Sequence, residues 1–201
     1  GAQHVAEVQY PRRTERRRRT RAKILEVAGD LFGGAGYGST TMQAISDAAD
    51  VHVTTLFMHF KSKSELALSL VAESVDELRA RAFENQGNVP VFDFVRAEAL
   101  ELGRIMGASK NPGQSLWHAL YTDQELAFAW SEFQREQKAI IAGYVAAEYG
   151  LDQEKDPRSE IVAVLLLTSA FLPLRRWADG PGKGNIKDEV MKAADIGERA
   201  A

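Results

Sequence analysis

Between Gly36 and Leu66 the chain reads GYGSTTMQAISDAADVHVTTLFMHFKSKSEL, a run that holds two helix starts, one tight turn and a cationic edge. No other stretch constrains the fold as strongly. Thr40 followed three residues later by Gln43 has the spacing of a capping box, in which the two side chains satisfy orphan amides at a helix start. This predicts a helix from Thr41 to about Ala49, with Met42, Ile45 and Ala49 on its inner face. Asp50 then falls where the chain needs a left-handed residue, a conformation that Asp visits more readily than most side chains, and Val51 is expected to fill the angle. A second short helix is predicted from His52 to His59, with Leu56 turned inward and Val53, Thr54, Thr55, Phe57 and Met58 on or near the outside. Ser62 and Glu65 form a further capping box, so a third helix should open there with Lys61 and Lys63 beside its positively polarised end. Phosphate is the natural partner of such an edge. The whole arrangement reads as a helix-turn-helix shaped to sit on DNA.

Upstream, Ile24, Leu25, Ala28, Leu31, Phe32 and Ala35 repeat with a helical period. Gly36 is placed to end that helix in a left-handed conformation, with Tyr37 folding back on Phe32. Before it lies PRRTERRRRTRAK, Pro11 to Lys23, with seven arginines. Residues 1–21 are read as a basic, partly disordered arm, with two alternatives open for it: a segment that reaches the flanking minor groove or phosphates, or a merely solvated tail. The net charge of −3 is unevenly spread: residues 1–63 hold ten Lys or Arg against six Asp or Glu, and residues 64–201 hold fifteen against twenty-two. The basic end is the nucleic-acid end.

The run from Ile24 to Leu66 resembles the DNA-binding domain of the tetracycline-repressor (TetR) family. The matching positions are Ile24, Leu25, Ala28, Leu31, Phe32, Gly36, Tyr37, Thr40, Thr41, Ile45, Ala49, Val51, Thr55, Leu56, His59, Phe60, Lys63 and Leu66. The resemblance implies a dimeric, ligand-responsive repressor with three N-terminal helices on DNA and a helical C-terminal domain that binds an effector. The sequence departs from the family pattern at Asp50 (usually glycine), His52 (usually serine or threonine), Thr54 (often glycine) and Phe57 (usually tyrosine). The missing tyrosine hydroxyl removes one phosphate contact common in the family, which should lower the salt dependence modestly. Thr41, Thr55, His59 and Lys63 are the expected phosphate contacts. His52, Val53, Thr54 and Met58 are the expected base contacts.

A chain of 201 residues that is 45% hydrophobic can bury a sizeable core. It contains no cysteine, so neither a disulfide framework nor a thiolate metal site is available. The N-terminus lacks the pattern of a secretory signal. The longest apolar segment, Ile161 to Leu174, reads as a buried helix too short to span a bilayer. A cytoplasmic protein without a membrane partner is expected.

Downstream the reading is helical almost throughout: from Ser62 to about Asn85, Val91 to Met106, Gln114 to Tyr121, Thr122 to Tyr149, Pro157 to about Ala178, and about Asn185 to Arg199. The breaks fall at GNVP, SKNPG, LDQEKDP and DGPGKGN. The expected fold is therefore all-α with about nine helices: a helix-turn-helix domain over 22–66 and an effector-binding and dimerisation domain over 67–201. The last two helices are the dimer candidates, because the penultimate one is apolar around much of its circumference and needs cover on more than one side. Leu166, Ala170, Ile186, Val190 and Ala194 are the expected interface residues. Two-fold symmetry would set the two reading helices about 34 to 36 Å apart on a palindromic operator. Phe94, Trp117, His118, Tyr121, Trp130, Phe133 and Phe171 are candidates to line an effector pocket for a small, partly apolar molecule, although at helical spacing most such residues are simply core.

Enzyme signatures are absent. FGGAGYGS, Phe32 to Ser39, lacks the GxGxxG spacing and follows a helix rather than a strand, and GKG at 182–184 lacks the Ser or Thr of a phosphate loop. The four histidines form no ligand cluster, and no cofactor or metal is expected. The competing readings are a helical ligand-binding or interaction protein with a vestigial DNA-binding domain and, less favoured, an enzyme. The mechanism expected is a population shift, in which an effector favours a state with wrongly spaced reading heads and the helix from Ser62 to Asn85 acts as the lever.

Overall fold

The computed structural model describes residues 2–109, 111–180 and 184–201, with backbone alone for residues 2–10 and Pro112. Nine α-helices and no strands occur among the described residues: α1 (Ala2–Gly34), α2 (Met42–Ala48), α3 (Val53–His59), α4 (Lys63–Asn85), α5 (Val91–Gly107), α6 (Leu116–Thr122), α7 (Gln124–Tyr149), α8 (Pro157–Asp179) and α9 (Ile186–Ala200), with a 3-10 turn at Pro112–Gln114 before α6. Part of the predicted break DGPGKGN, with most of GKG, and Lys110 of SKNPG lie outside the described residues.

The first helix differs most from expectation. The basic segment is not an arm separate from helix 1. It is the N-terminal part of one 33-residue helix, interrupted in its hydrogen-bond ladder only by Pro11. Ile24, Leu25, Ala28 and Phe32 are buried as expected. The helix ends where Gly36 takes φ +98°, and Tyr37 meets Phe32 edge-on with ring centroids 5.2 Å apart.

At α2 the capping residue is one position later than predicted. Thr41, with extended backbone, accepts from the Ala44 amide at 3.1 Å. Thr40 is buried and donates to the Gly36 carbonyl at 2.7 Å, closing the turn behind it. Gln43 reaches forward to Asp47 at 2.9 Å instead of back to the cap. The reason is local supply: the turn at Gly36 leaves a carbonyl unpaired beside Thr40, and that carbonyl captures the hydroxyl. Asp50 is left-handed at φ 53°, Leu56 and Ile45 are fully buried, and Ser62 caps α4 by accepting from Glu65 N at 3.1 Å. Glu65 in turn accepts from the Lys61 amide at 2.9 Å.

Two apolar clusters fill the molecule. The first joins α1, α2, α3 and the start of α4 to Leu120, Leu126 and Trp130 of α6 and α7; the second joins α5, the rest of α7, α8 and α9 to the end of α4. The core of the N-terminal helices therefore continues past Leu66 and is closed by residues distant in sequence. The start of α5, where Pro90 offers no side-chain cap, is held from outside: the Glu148 carboxylate accepts from Val91 N at 3.1 Å. Tyr144 donates to the Val89 carbonyl at 2.5 Å beside it.

The last two helices correct the expected interface. Leu166, Ala170, Val190 and Ala194 are buried within a single chain, and Ile186 packs against the second cluster. The small residues of α9, Ala194 and Gly197, face inward: a Cβ placed on Gly197 would overlap Ser169 Oγ, and Arg96 of α5 binds Asp195 and Glu198 of α9 at 3.1 and 2.6 Å. Small side chains allow close approach to whichever helix is nearest, and here that is α8 of the same chain. What α8 and α9 leave exposed is a different apolar set, Ile161, Val164, Leu172 and Ile196. As a 23-residue helix, α8 has the length and composition of a membrane span, contrary to the length read from its apolar segment alone, but it packs against α5, α7 and α9.

Candidate nucleic-acid interface

Helix α3 is seven residues long, and Leu56 alone anchors it as a fully buried side chain. Its opposite side is open. Phe57 is 47% and Met58 79% exposed, Thr54 and His52 are exposed, and Val53, Thr55 and His59 are half-buried. Exposed apolar groups of this size are unusual on a short polar-flanked helix and suit contact with thymine methyls and sugar edges. His52 is the N-cap of α3: its Nδ1 accepts from Thr54 N at 3.2 Å and also contacts the Thr54 hydroxyl. The two side chains that replace the family's serine and glycine are thus coupled to each other.

Of the flanking phosphate candidates, Thr41, His59 and Lys63 are engaged by the fold, and Thr55 is half-buried on α3. The Thr41 oxygen accepts from α2 as its cap, which leaves its proton free to donate. Lys63 donates to the Tyr37 carbonyl at 2.8 Å and lies 4.2 Å over the Tyr37 ring. Burial lowers its ammonium below the ordinary lysine value, partly offset by Asp123. Burial, helped by the charges of Asp123 and Glu125, pushes the Tyr37 hydroxyl up to about 12. His59 stands at the end of α3, with its proton affinity lowered by burial and by Arg17 and Arg21. Arg21 donates to the His59 carbonyl at 3.4 Å and sits 4.3 Å over the Phe60 ring. These two arginines were not singled out from the sequence as neighbours of the reading helix. Their spacing of four residues was visible, but the face they occupy depends on how α1 crosses α3.

The expected effector residues do not gather around one cavity. Trp117, Tyr121 and Trp130 form a cluster, Trp117 and Tyr121 meeting Trp130 edge-on at 5.7 and 6.4 Å. Arg175 of α8 covers Tyr121 at 4.5 Å, and His118 Nδ1 lies 3.1 Å from the Ala178 carbonyl. Phe133 packs with the first apolar cluster. Phe94 is elsewhere, against Tyr144 at 5.1 Å, and Phe171 packs with the second cluster; Trp117 touches both clusters. No group of side chains with metal-ligand character occurs among the described residues.

The geometry of three N-terminal helices closed on Leu56 coincides with a sequence signature. Residues 24–70 match that of the bacterial regulatory proteins of the tetR family. Over 172 residues, 82% of this chain and 76% of the other, the sequence is 29% identical to the HTH-type transcriptional regulator TcmR of Streptomyces glaucescens. Residues 24–70 therefore carry the DNA-binding signature of the TetR family. A shorter match, 32% identical over 71 residues, relates it to the HTH-type transcriptional repressor KstR of Rhodococcus jostii, covering 35% of this chain and 34% of that one. Among solved structures, the TetR-family repressor FadR of Thermus thermophilus, in complex with lauroyl-CoA, shares the fold with a TM-score of 0.62 at 21% identity, over 89% of this chain and 93% of that one. These relatives are helix-turn-helix transcriptional regulators.

Proposed function

We propose that this chain is a TetR-family regulator, a homodimeric, cytoplasmic repressor that holds a palindromic operator and releases it when a small, partly apolar effector binds. The observation that carries the reading is the open side of α3, where Thr54, Phe57 and Met58 project from a helix whose single buried anchor is Leu56. Val53, Thr54 and Met58, with His52 through its bond to Thr54, read bases. Thr41, Thr55, His59 and Lys63 hold phosphates. The exposed apolar face of α8 and α9, Ile161, Val164, Leu172 and Ile196, supports a two-fold contact with a second copy.

The effector is placed near Trp117, because that residue touches both apolar clusters. A ligand that displaces Trp117, Tyr121 or Trp130 would shift α6 and α7 against α4, and α4 begins at the DNA edge. It lowers operator affinity by its differential affinity for the displaced state. FadR of Thermus thermophilus, which shares the fold, holds lauroyl-CoA; here the aromatic cluster favours a ligand with a flat or apolar part. The relatives are regulators, and the chain is read as having no catalytic role.

Selection of bound sequences from a random DNA pool at near-physiological salt tests the reading. A palindrome with half-sites one helical turn apart is expected. Recovery of no enriched sequence would overturn it.

A further inference from the structure

The N-terminal part of α1 concentrates charge to a degree that the helix-turn-helix does not need. From Arg12 to Lys23 there are eight cations and a single acid, Glu15. Glu15 binds Arg18 at 2.8 Å and Arg19 at 3.0 Å. Arg12, Arg13, Arg16, Arg17, Arg21 and Lys23 have no acidic partner among the described residues. Like charges four apart on a helix repel, as at Arg12 and Arg16, Arg13 and Arg17, or Arg17 and Arg21. A stretch so composed is unfavourable as a helix in isolation and calls for a polyanion.

Arg13, Arg16, Arg17 and Arg21 lie three or four residues apart and so share one face. The orientation of that face is set at its lower end, where Arg21 contacts the His59 carbonyl and the Phe60 ring at the end of the reading helix. The arginine face is therefore continuous with the edge of the helix-turn-helix that carries the proposed phosphate contact His59. From Arg21 back to Arg12 the helix advances about 14 Å, about four base pairs of DNA.

Helical structure also decides the mode. A flexible arm could enter a minor groove, but an α-helix about 10–12 Å across is too wide for a groove about 6 Å wide. We infer that the arginine face of α1 is a second DNA-binding element, one that follows the phosphate backbone outside the half-site without reading its sequence. This rests on the operator-binding function proposed above and adds to it a separate site with its own ligand, the flanking duplex.

The experiment uses the full chain and its selected palindrome, once with minimal ends and once with ten added base pairs on each side, in two unrelated flank sequences. Parent and an Arg13→Ala/Arg16→Ala variant are titrated at several salt concentrations. Both arginines are exposed, and circular dichroism checks that the variant is folded. The parent is expected to bind both flanked duplexes about tenfold or more tighter than the short one. The variant should lose that gain and show a salt slope shallower by about 4 on flanked DNA, from about 0.9 for each of four arginines in a dimer, while its affinity for the short duplex stays close to the parent's. Equal affinity of the parent for short and flanked duplexes, or an unchanged gain in the variant, overturns the inference while leaving the repressor reading intact. A gain confined to one flank sequence would replace backbone tracking with base reading and also overturns it. Failure to select any palindrome removes both.

Discussion

The Gly38 amide donates to the Gln114 carbonyl at 3.0 Å, joining the turn that leads into the reading unit to the 3-10 turn that leads into α6. Gly36 is at the same contact: a Cβ there would lie 2.8 Å from the Gln114 carbonyl oxygen, whereas one on Gly38 would meet the end of the Gln114 side chain. This is a direct seam between the DNA-facing helices and the rest of the molecule, separate from α4.

The two glycines should respond differently to substitution. Gly36→Ala meets backbone and must also hold φ +98°, so a loss of about 1–3 kcal/mol is expected. Gly38→Ala meets a flexible side chain that can swing away, and about 1 kcal/mol or less is expected. Denaturant unfolding of both variants, and of Gly38→Ala combined with Gln114→Ala, measures the difference; equal losses at the two positions would contradict this account of the seam.

Asp50 at φ 53° makes the turn between α2 and α3 without a glycine. Asp50→Val is expected to destabilise by about 1–2 kcal/mol, since a branched side chain tolerates that conformation poorly. Asp50→Gly should be neutral or slightly stabilising. Thermal unfolding of the pair reports the sign in each case.

Lys63 is held by the Tyr37 carbonyl and ring. Lys63→Met keeps the stem over the ring and removes the charge. DNA affinity should fall for all sequences alike, and the slope against log salt should become shallower by about 2 for a dimer. A variant with the parent's slope would remove Lys63 from the phosphate contacts.

His59 gives the fold a defined pH response. Burial, Arg17 and Arg21 lower its folded value below the ordinary 6.5. Below about 6.5 the unfolded chain takes up the proton first, so this contribution to stability is complete above that pH and is lost as pH falls through the folded value. Comparing unfolding at pH 7.5 and 5.5, the parent should lose more stability than His59→Gln. An identical pH dependence in the two proteins would show that His59 titrates as it does in the unfolded chain.

Gly197 sets the approach of α9 to α8. Ser169 Oγ already donates to the Leu165 carbonyl at 2.7 Å and cannot readily turn aside. Gly197→Ala should therefore cost about 1–3 kcal/mol through overpacking, with partial recovery on adding Ser169→Gly. Calorimetric melting of the single and double variants reads this out, and a neutral Gly197→Ala would mean that the two helices can separate freely.

Much of this molecule is legible one residue at a time. The left-handed positions at Gly36 and Asp50, the cap at Ser62, the inward turn of Leu56 and the edge contact of Phe32 with Tyr37 all depend on neighbours within a few positions. For such features sequence spacing is already geometry. Even there, one competing local bond shifts the answer: Thr40 is taken by the carbonyl of Gly36, four residues back, and Thr41 caps α2 in its place.

Tertiary structure decided what local spacing cannot encode, namely which face of a helix meets which neighbour. The periodicity of α9 marks a stripe of Val190, Ala194 and Gly197 but does not say whether it covers α8 of the same chain or of another; the packing puts it inside. The aromatic residues of α5 to α8 are alike in type, yet Phe94 and Trp130 fall in different clusters because α7 runs from one to the other, with Trp130 near its start in the first and Tyr144, which Phe94 meets, near its end in the second. The arginines before Ile24 are plain in the sequence, but their alignment with His59 and Phe60 exists only because α1 continues as one helix across the end of α3. Helix caps, tight turns and backbone torsions act over a few residues and are written along the chain, whereas the burial of apolar faces is satisfied by whichever surface fits in three dimensions.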